Sequence, residues 1–180
     1  MIQRGDWRRG VFIRGMTIRL STAYTYSRSF PCMPKTMTLL EKAIEIALRS
    51  HAGQKQKDGS PYILHPLRVM GRMATDEERM AAVLHDVVED SEMTLEALRE
   101  AGFPERVVET VKLLTHEEGV SYEEYVERLK NDGMARRIKL ADLEDNSDIR
   151  RLSGIEEKDL ERLRKYHRAW QILRPGPDEL

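Results

Sequence analysis

The chain has 180 residues, of which 40% are hydrophobic and 34% are charged, a composition typical of a water-soluble globular domain. No stretch approaches the roughly 20 apolar residues that a membrane-spanning helix needs, which argues against a membrane protein. The single cysteine, Cys32, excludes an intramolecular disulfide and a thiolate zinc site, and it suits a reducing, cytoplasmic compartment.

Charge is divided unevenly along the chain. Residues 1–36 have seven basic residues and one acidic residue, a net charge of +6, whereas the remainder has a net charge of −7. An acidic body argues against a general nucleic-acid binder, which needs a basic face to neutralise phosphates. A small nucleotide ligand remains compatible if a metal and local lysines offset the field.

The first 36 residues show no sustained helical or alternating periodicity, and they contain three glycines and two prolines. We interpret them as a poorly ordered basic arm. Three origins are open, and translation from an upstream start codon is favoured, with Met33 or Met37 as the natural first residue. The alternatives are an organellar targeting segment, since Arg, Ser and Thr are frequent and acids are rare, or an interaction arm.

From Thr38 onward, apolar residues recur at spacings of three and four, and no strand pattern competes with them. This pattern predicts an all-α fold, a single-domain helical bundle over residues 37–180. The first helix is expected to end near His51 and to be followed by a polar loop. Pro66 suits the first turn of a second helix, which runs to about Met73.

Helix-start residues mark most of the later helices. Thr75, with Glu78 three residues on, predicts a capping box for a third helix whose apolar pattern continues through Val88. A second capping box, Ser121 with Glu124, predicts a helix through Leu129. The other predicted helices run from the Thr94 cap to Gly102, from Pro104 through Leu114, from Met134 to Asn146, and along a stripe from Leu160 to Leu173, before Pro175.

The dipeptide His85-Asp86 interrupts an otherwise apolar turn of the third predicted helix. Two polar side chains buried without partners would cost about 1–3 kcal/mol each, so they need partners, and a divalent metal is one. A lone His-Asp pair is more often a satisfied core histidine beside an exposed aspartate. The metal reading therefore depends on further residues.

Glu89 and Asp90 follow Asp86 at three and four residues, on neighbouring rows of the same predicted helical face. Near the C-terminus of that helix, acidic groups oppose the helix dipole by roughly 0.3–1 kcal/mol each. We therefore expect Glu89 and Asp90 to have a functional role that offsets this cost. Either of them could orient an attacking water molecule or take its proton.

His51 supplies a second imidazole, and Asp142 supplies a second carboxylate within an otherwise apolar turn. Together with His85 and Asp86 they form a predicted ligand set for one divalent metal. Two imidazoles and two carboxylates suit manganese, iron or zinc better than calcium or magnesium. Lys139 shares a helix side with Asp142, so it is expected to contact phosphate.

Four segments, taken in order, resemble the HD-type hydrolase domain of RelA/SpoT-type alarmone enzymes, above all their stand-alone small alarmone hydrolases. The segments are His51, residues 53–66, residues 85–90, and residues 139–142 with Asn146. The resemblance covers residues 38 to about 150. It implies a mostly helical fold, a manganese ion, and removal of the 3′-pyrophosphate of ppGpp or pppGpp to give GDP or GTP.

The resemblance also implies residue roles. It matches His51, His85, Asp86 and Asp142 to the metal ligands, Glu89 and Asp90 to the catalytic acidic pair, and Lys57 and Asn146 to residues that approach the nucleotide. Two positions depart from the family pattern, because Gln56 and Asp148 stand where arginines are usual, the first of which packs on the guanine. A glutamine offers no guanidinium plane, and an aspartate repels phosphates.

Several alternatives stay open at this point. The departures at Gln56 and Asp148 favour an HD phosphohydrolase that acts on a different nucleotide, and a nucleotide sensor without activity belongs to another class again. His65 either contacts phosphate or caps a helix start, and it is not predicted to be a ligand. A synthetase activity is not expected, because only one helix and a tail follow residue 150.

Overall fold

A computed structural model describes residues 37–152 and 154–175. The predictions for residues 1–36 lie outside the described residues. The described chain forms α1 Leu39–Ser50, α2 Leu64–Met70, α3 Asp76–Leu84, α4 Val87–Asp90, α5 Leu95–Glu100, α6 Glu105–Leu114, α7 Tyr122–Leu129, α8 Gly133–Asn146, a 3-10 helix at Ile149–Arg151, and α9 Glu157–Leu173. Within these ranges the β-pairing consists of one isolated bridge, between Lys55 and Pro61. The all-α prediction is therefore confirmed.

Helix α3 lies at the centre of the bundle, and residues 81–84 at its end are fully buried. Helices α1, α2 and α6 pack against α3, while α8 packs against α2 and α9. The chain that leaves α3 therefore carries its next residues, His85 and Asp86, into the interior. None of the helices in the described part of the chain is long and apolar enough to cross a membrane.

Pro66 lies in the first turn of α2, as predicted, and the helix ends earlier than the predicted Met73. It begins at Leu64, two residues before Pro66, and ends at Met70. The backbone N–H groups of Leu64 and His65 already donate to the carbonyls of Pro61 and Tyr62, so a turn leads directly into the helix. His65 thus lies inside the first turn and does not precede the helix.

The third predicted helix is wrong in one respect, because it breaks at His85 and Asp86 into α3 and α4. The Nδ1 atom of His85 donates to the carbonyl oxygen of Ala82 at 2.7 Å. In an uninterrupted helix this oxygen would accept the N–H of Asp86. Glu89 and Asp90 therefore lie on a separate short helix and not at the C-terminus of a long one.

Glu78 links α3 to α8, and its side chain is buried. Its carboxylate accepts the N–H of Thr75 at 3.0 Å and the Nε–H of Arg137 at 2.8 Å. Burial alone would raise the pKa of Glu78, but these hydrogen bonds and the charge of Arg137 lower it below 4.5.

Replacing Glu78 with alanine is expected to lower the free energy of unfolding by about 1–3 kcal/mol, because a helix cap and a buried partner of Arg137 are lost. Since the folded-state pKa is depressed, this stabilisation is present above pH 4.5 and disappears as the pH falls through the folded-state value. Urea denaturation at neutral and at acidic pH measures the difference. Glu77→Ala, at an exposed neighbour, is the matched control; equal losses in both variants would contradict the prediction.

Candidate active site

Three imidazole rings line the buried end of α3. His51 follows α1, His65 lies in α2 and His85 follows α3, and each residue is at most 3% exposed. The Nδ1 atom of each ring faces an oxygen: Gln54 Oε1 at 2.9 Å for His51, Asp145 Oδ2 at 2.7 Å for His65, and the Ala82 carbonyl at 2.7 Å for His85. These contacts place the proton on Nδ1, so each Nε2 presents a lone pair.

The Nε2 atoms of these rings are the distinctive feature. All three are buried, and none has a hydrogen-bond partner among the described residues. A buried polar atom without a partner is rare in folded proteins and calls for an explanation such as a bound ion. Neutral imidazole nitrogens with oriented lone pairs fit a divalent metal.

Two carboxylates face the same nitrogens. Asp86 Oδ2 lies 3.0 Å from His85 Nε2 and 3.7 Å from His65 Nε2. Asp142 Oδ1 lies 3.1 Å from His65 Nε2 and 3.8 Å from His85 Nε2. The ligand atoms of His65, His85 and Asp142 all fall within 4.8 Å of one another, a spacing at which one cation can bind all three.

The carboxylates are ionised in this setting. Burial alone would raise the pKa of Asp142, but the Lys139 ammonium, 2.8 Å from Oδ2, holds that pKa well below its ordinary value. Burial opposes ionisation of Asp86 as well, yet the pKa of Asp86 is also lowered from its ordinary value. Both groups therefore offer the negative charge that a divalent cation needs.

Glu89 and Asp90 lie beside the ligand groups. They line the same cavity of about 320 Å³ as Asp86 and Asp142, which we call the metal-side cavity. Glu89 Oε1 accepts the backbone N–H of His116. Burial raises the pKa of both Glu89 and Asp90, and the charge of Asp86 adds to the effect. Carboxyls with raised pKa in a cavity are suited to accept a proton during a reaction.

The sequence and the fold have counterparts in known proteins. A family model described as "HD domain" matches residues 43–165. The chain belongs to the HD domain family. An Aquifex aeolicus protein named guanosine-3′,5′-bis(diphosphate) 3′-pyrophosphohydrolase is 34% identical over 125 residues, which cover 63% of this chain and 18% of that protein. A Streptomyces coelicolor protein named GTP pyrophosphokinase is 47% identical over 68 residues, covering 36% of this chain and 8% of that protein. The chain thus spans less than a fifth of the length of these relatives.

A solved structure is also similar to this HD domain. It is described as "A metazoan ortholog of SpoT hydrolyzes ppGpp and plays a role in starvation responses". The two chains superpose with a TM-score of 0.66 at 22% sequence identity, over 82% of this chain and 92% of the other. The HD fold and the resemblance to RelA/SpoT-type hydrolase domains are thereby confirmed.

Three of the four predicted ligands lie together, since His85 Nε2 is 3.0 Å from Asp86 Oδ2 and 3.8 Å from Asp142 Oδ1. The fourth, His51, is buried nearby, with its ring centroid 4.9 Å from that of Tyr62. The ligand set itself stays a prediction.

His65 is a candidate metal ligand that sequence reasoning missed, since the sequence suggested only a phosphate contact or a helix cap. It does not cap α2, whose N-cap residue is Ile63, and its Nε2 lies near both Asp142 and Asp86. The interpretation of His65 as a helix cap is therefore wrong. The available signal was its spacing to the buried Val69, four residues on, because residues at this spacing share one helix face.

The three predicted substrate-binding residues all lie near the site, and each has a partner within the protein. Lys139 Nζ contacts Asp142, and the Nδ2 of Asn146 donates to Asp142 Oδ1 at 2.6 Å. Lys57 Nζ lies 2.5 Å from Asp159 Oδ1, on the N-terminal turn of α9. Their substrate contacts remain predictions.

Two further residues of the metal-side cavity were not singled out from the sequence. Tyr62 donates its hydroxyl hydrogen to Asp86 Oδ2 at 2.6 Å. Lys165, on α9, places its ammonium 3.7 Å from the centroid of the Tyr122 ring. No local pattern marks either residue, because each reaches the cavity from an element distant in the chain.

Proposed function

We propose that this HD domain is a metal-dependent phosphohydrolase that removes the 3′-pyrophosphate of ppGpp and pppGpp, with water as the second reactant. The products are GDP or GTP and pyrophosphate. The observation that carries this proposal is the convergence of unpartnered imidazole nitrogens and ionised carboxylates next to Glu89 and Asp90. The activities named for the relatives and the order of the sequence segments support the alarmone as substrate.

His85, Asp86 and Asp142, with His65 and His51 beside them, would hold the metal. Mixed nitrogen and oxygen donors suit manganese, iron or zinc, and we propose manganese because the resemblance to RelA/SpoT-type hydrolases implies it. When bound, the cation withdraws charge from a phosphoryl oxygen and makes a water nucleophile available near neutral pH. That manganese is the metal bound in the cell is part of this proposal. The residues around it act on the protons and on the substrate.

The acidic pair and its neighbours have separate tasks in this proposal. Either Glu89, whose carboxylate accepts the backbone N–H of His116, or Asp90 accepts the proton of the attacking water, and the other orients that water. Tyr62 holds the Asp86 carboxylate through its hydroxyl group. Lys139 keeps Asp142 ionised and adds positive charge near the substrate phosphates.

The test is release of pyrophosphate by the purified protein supplied with Mn²⁺. We expect turnover of ppGpp and pppGpp, loss of activity on chelation, and little turnover of GTP, which has no 3′-pyrophosphate. The absence of turnover in the presence of metal would rule out the proposal. Faster turnover of a nucleotide without a 3′-pyrophosphate would instead select an HD phosphohydrolase with a different substrate.

A further inference from the structure

A second cavity, of about 220 Å³, adjoins the metal-side cavity and shares Tyr62 and Asn146 with it. We call it the adjoining cavity. Gln56, Arg151 and Leu152 are among its lining residues. If the reacting pyrophosphate occupies the metal-side cavity, the nucleoside end of the substrate extends into this neighbouring space.

Gln56 has no capacity left for a ligand. Its Oε1 accepts from Arg68 Nη2 at 2.7 Å and from Arg151 Nη1 at 2.6 Å. Its Nε2 donates to Ser60 Oγ at 2.9 Å and to the Pro61 carbonyl at 3.1 Å. A side-chain amide offers two donors and two acceptor lone pairs, and all four are used. The Gln56 side chain therefore binds the guanidinium groups of Arg68 and Arg151 and has no hydrogen-bonding group free for the nucleotide.

Arg151 is the group that Gln56 holds in the adjoining cavity. Besides its bond to Gln56, it donates through Nη2 to the backbone carbonyl of Asp145 and to Asp145 Oδ2, the latter at 3.2 Å. Its side chain is 25% exposed, and its Nε has no partner among the described residues. Because both terminal nitrogens are engaged within the protein and Nε is buried, the planar face of the guanidinium is the part that a ligand can contact.

We propose that Arg151 packs its guanidinium plane against the base of the bound nucleotide and that Gln56 is its positioning residue. The inference rests on the proposed function, because a nucleotide is assumed as the ligand. A fixed planar cation stacks on an aromatic ring, and Leu152 adds an apolar surface to the same cavity. Arg151, from the 3-10 helix, thus supplies the plane that position 56 lacks.

Binding of GDP to the Mn²⁺-loaded protein, measured by calorimetry, tests the role of Arg151. Arg151→Ala and Arg151→Lys are each expected to weaken GDP binding by about tenfold, because lysine keeps the charge but not the plane. Binding of inorganic pyrophosphate should stay unchanged in both variants. Arg164→Ala, at an exposed residue paired with Glu157, is the matched control. Unchanged GDP affinity in both Arg151 variants, or no GDP binding by the wild type, would overturn the inference.

The Gln56→Arg variant tests whether Gln56 positions Arg151. A third guanidinium beside Arg68 and Arg151 would displace Arg151, so we expect weaker GDP binding and a raised KM for ppGpp with little change in kcat. Tighter GDP binding in this variant would contradict the inference. Failure of the proposed function has a different signature, since GDP would bind as expected while ppGpp released no pyrophosphate.

Discussion

Replacing Asp86 with alanine is expected to lower kcat/KM for pyrophosphate release from ppGpp by about 10³-fold or more, because a metal ligand supplies several kcal/mol of transition-state stabilisation. Asp86 faces the Nε2 atoms of His85 and His65, and Tyr62 orients it. Without the Asp86 carboxylate, the ligand set has one negative charge fewer with which to bind the cation. We therefore expect metal content to fall together with activity.

Metal analysis by mass spectrometry and steady-state kinetics on the same preparation measure both effects. Asp76→Ala is the control, because Asp76 lies at the other end of α3 with an exposed side chain paired to Arg79. The variant should also be checked for a retained helical circular dichroism spectrum. An Asp86→Ala protein with full metal content and wild-type turnover would show that the metal centre lies elsewhere.

The second large effect is expected at the acidic pair. The double variant Glu89→Gln, Asp90→Asn should lower kcat by about 10²–10⁴-fold, the usual contribution of a general base. Its metal content should remain that of the wild type, because these side chains are not assigned as ligands. This separation of activity from metal binding distinguishes the acidic pair from Asp86.

The pH dependence gives a second measurement of the same pair. A general base acts in its ionised form, so wild-type kcat should rise with pH through a pKa above the ordinary 4.5 of Glu89 and 3.8 of Asp90, since burial raises both values. The double variant should lack this acid limb. Glu92→Gln, at an exposed residue just after α4, is the control. An unchanged acid limb in the double variant would contradict the assignment.

Much of the fold could be read from local sequence patterns. The spacing of apolar residues and the caps Thr75, Thr94 and Ser121 predict helices that the structure confirms, because a cap depends only on a side chain and the next few backbone N–H groups. His85 and Asp86 stood out for a related reason. Polar groups in an apolar helical turn need partners whatever the rest of the fold is.

Other features depended on the tertiary structure. The helix breaks after Leu84, where the His85 side chain donates a hydrogen bond to the backbone carbonyl of Ala82. No proline or glycine marks this break in the sequence. His65 enters the site because α2 packs against both α3 and α8, which brings it next to Asp142. Neither contact has a local sequence signature.

The sequence by itself therefore determined the all-α class and singled out His85, Asp86 and Asp142 as candidate ligands, since periodicity and polar residues in an apolar turn are local properties. The tertiary structure decided which imidazoles face the carboxylates and which guanidinium Gln56 holds in the adjoining cavity. Gln56 illustrates the difference. In the sequence, Gln56 stands at a position where an arginine is usual. In the fold, Arg151, 95 residues later, donates a hydrogen bond to Gln56 and lines the same cavity. Contacts between residues so far apart depend on how the helices pack, and packing is a property of the whole domain.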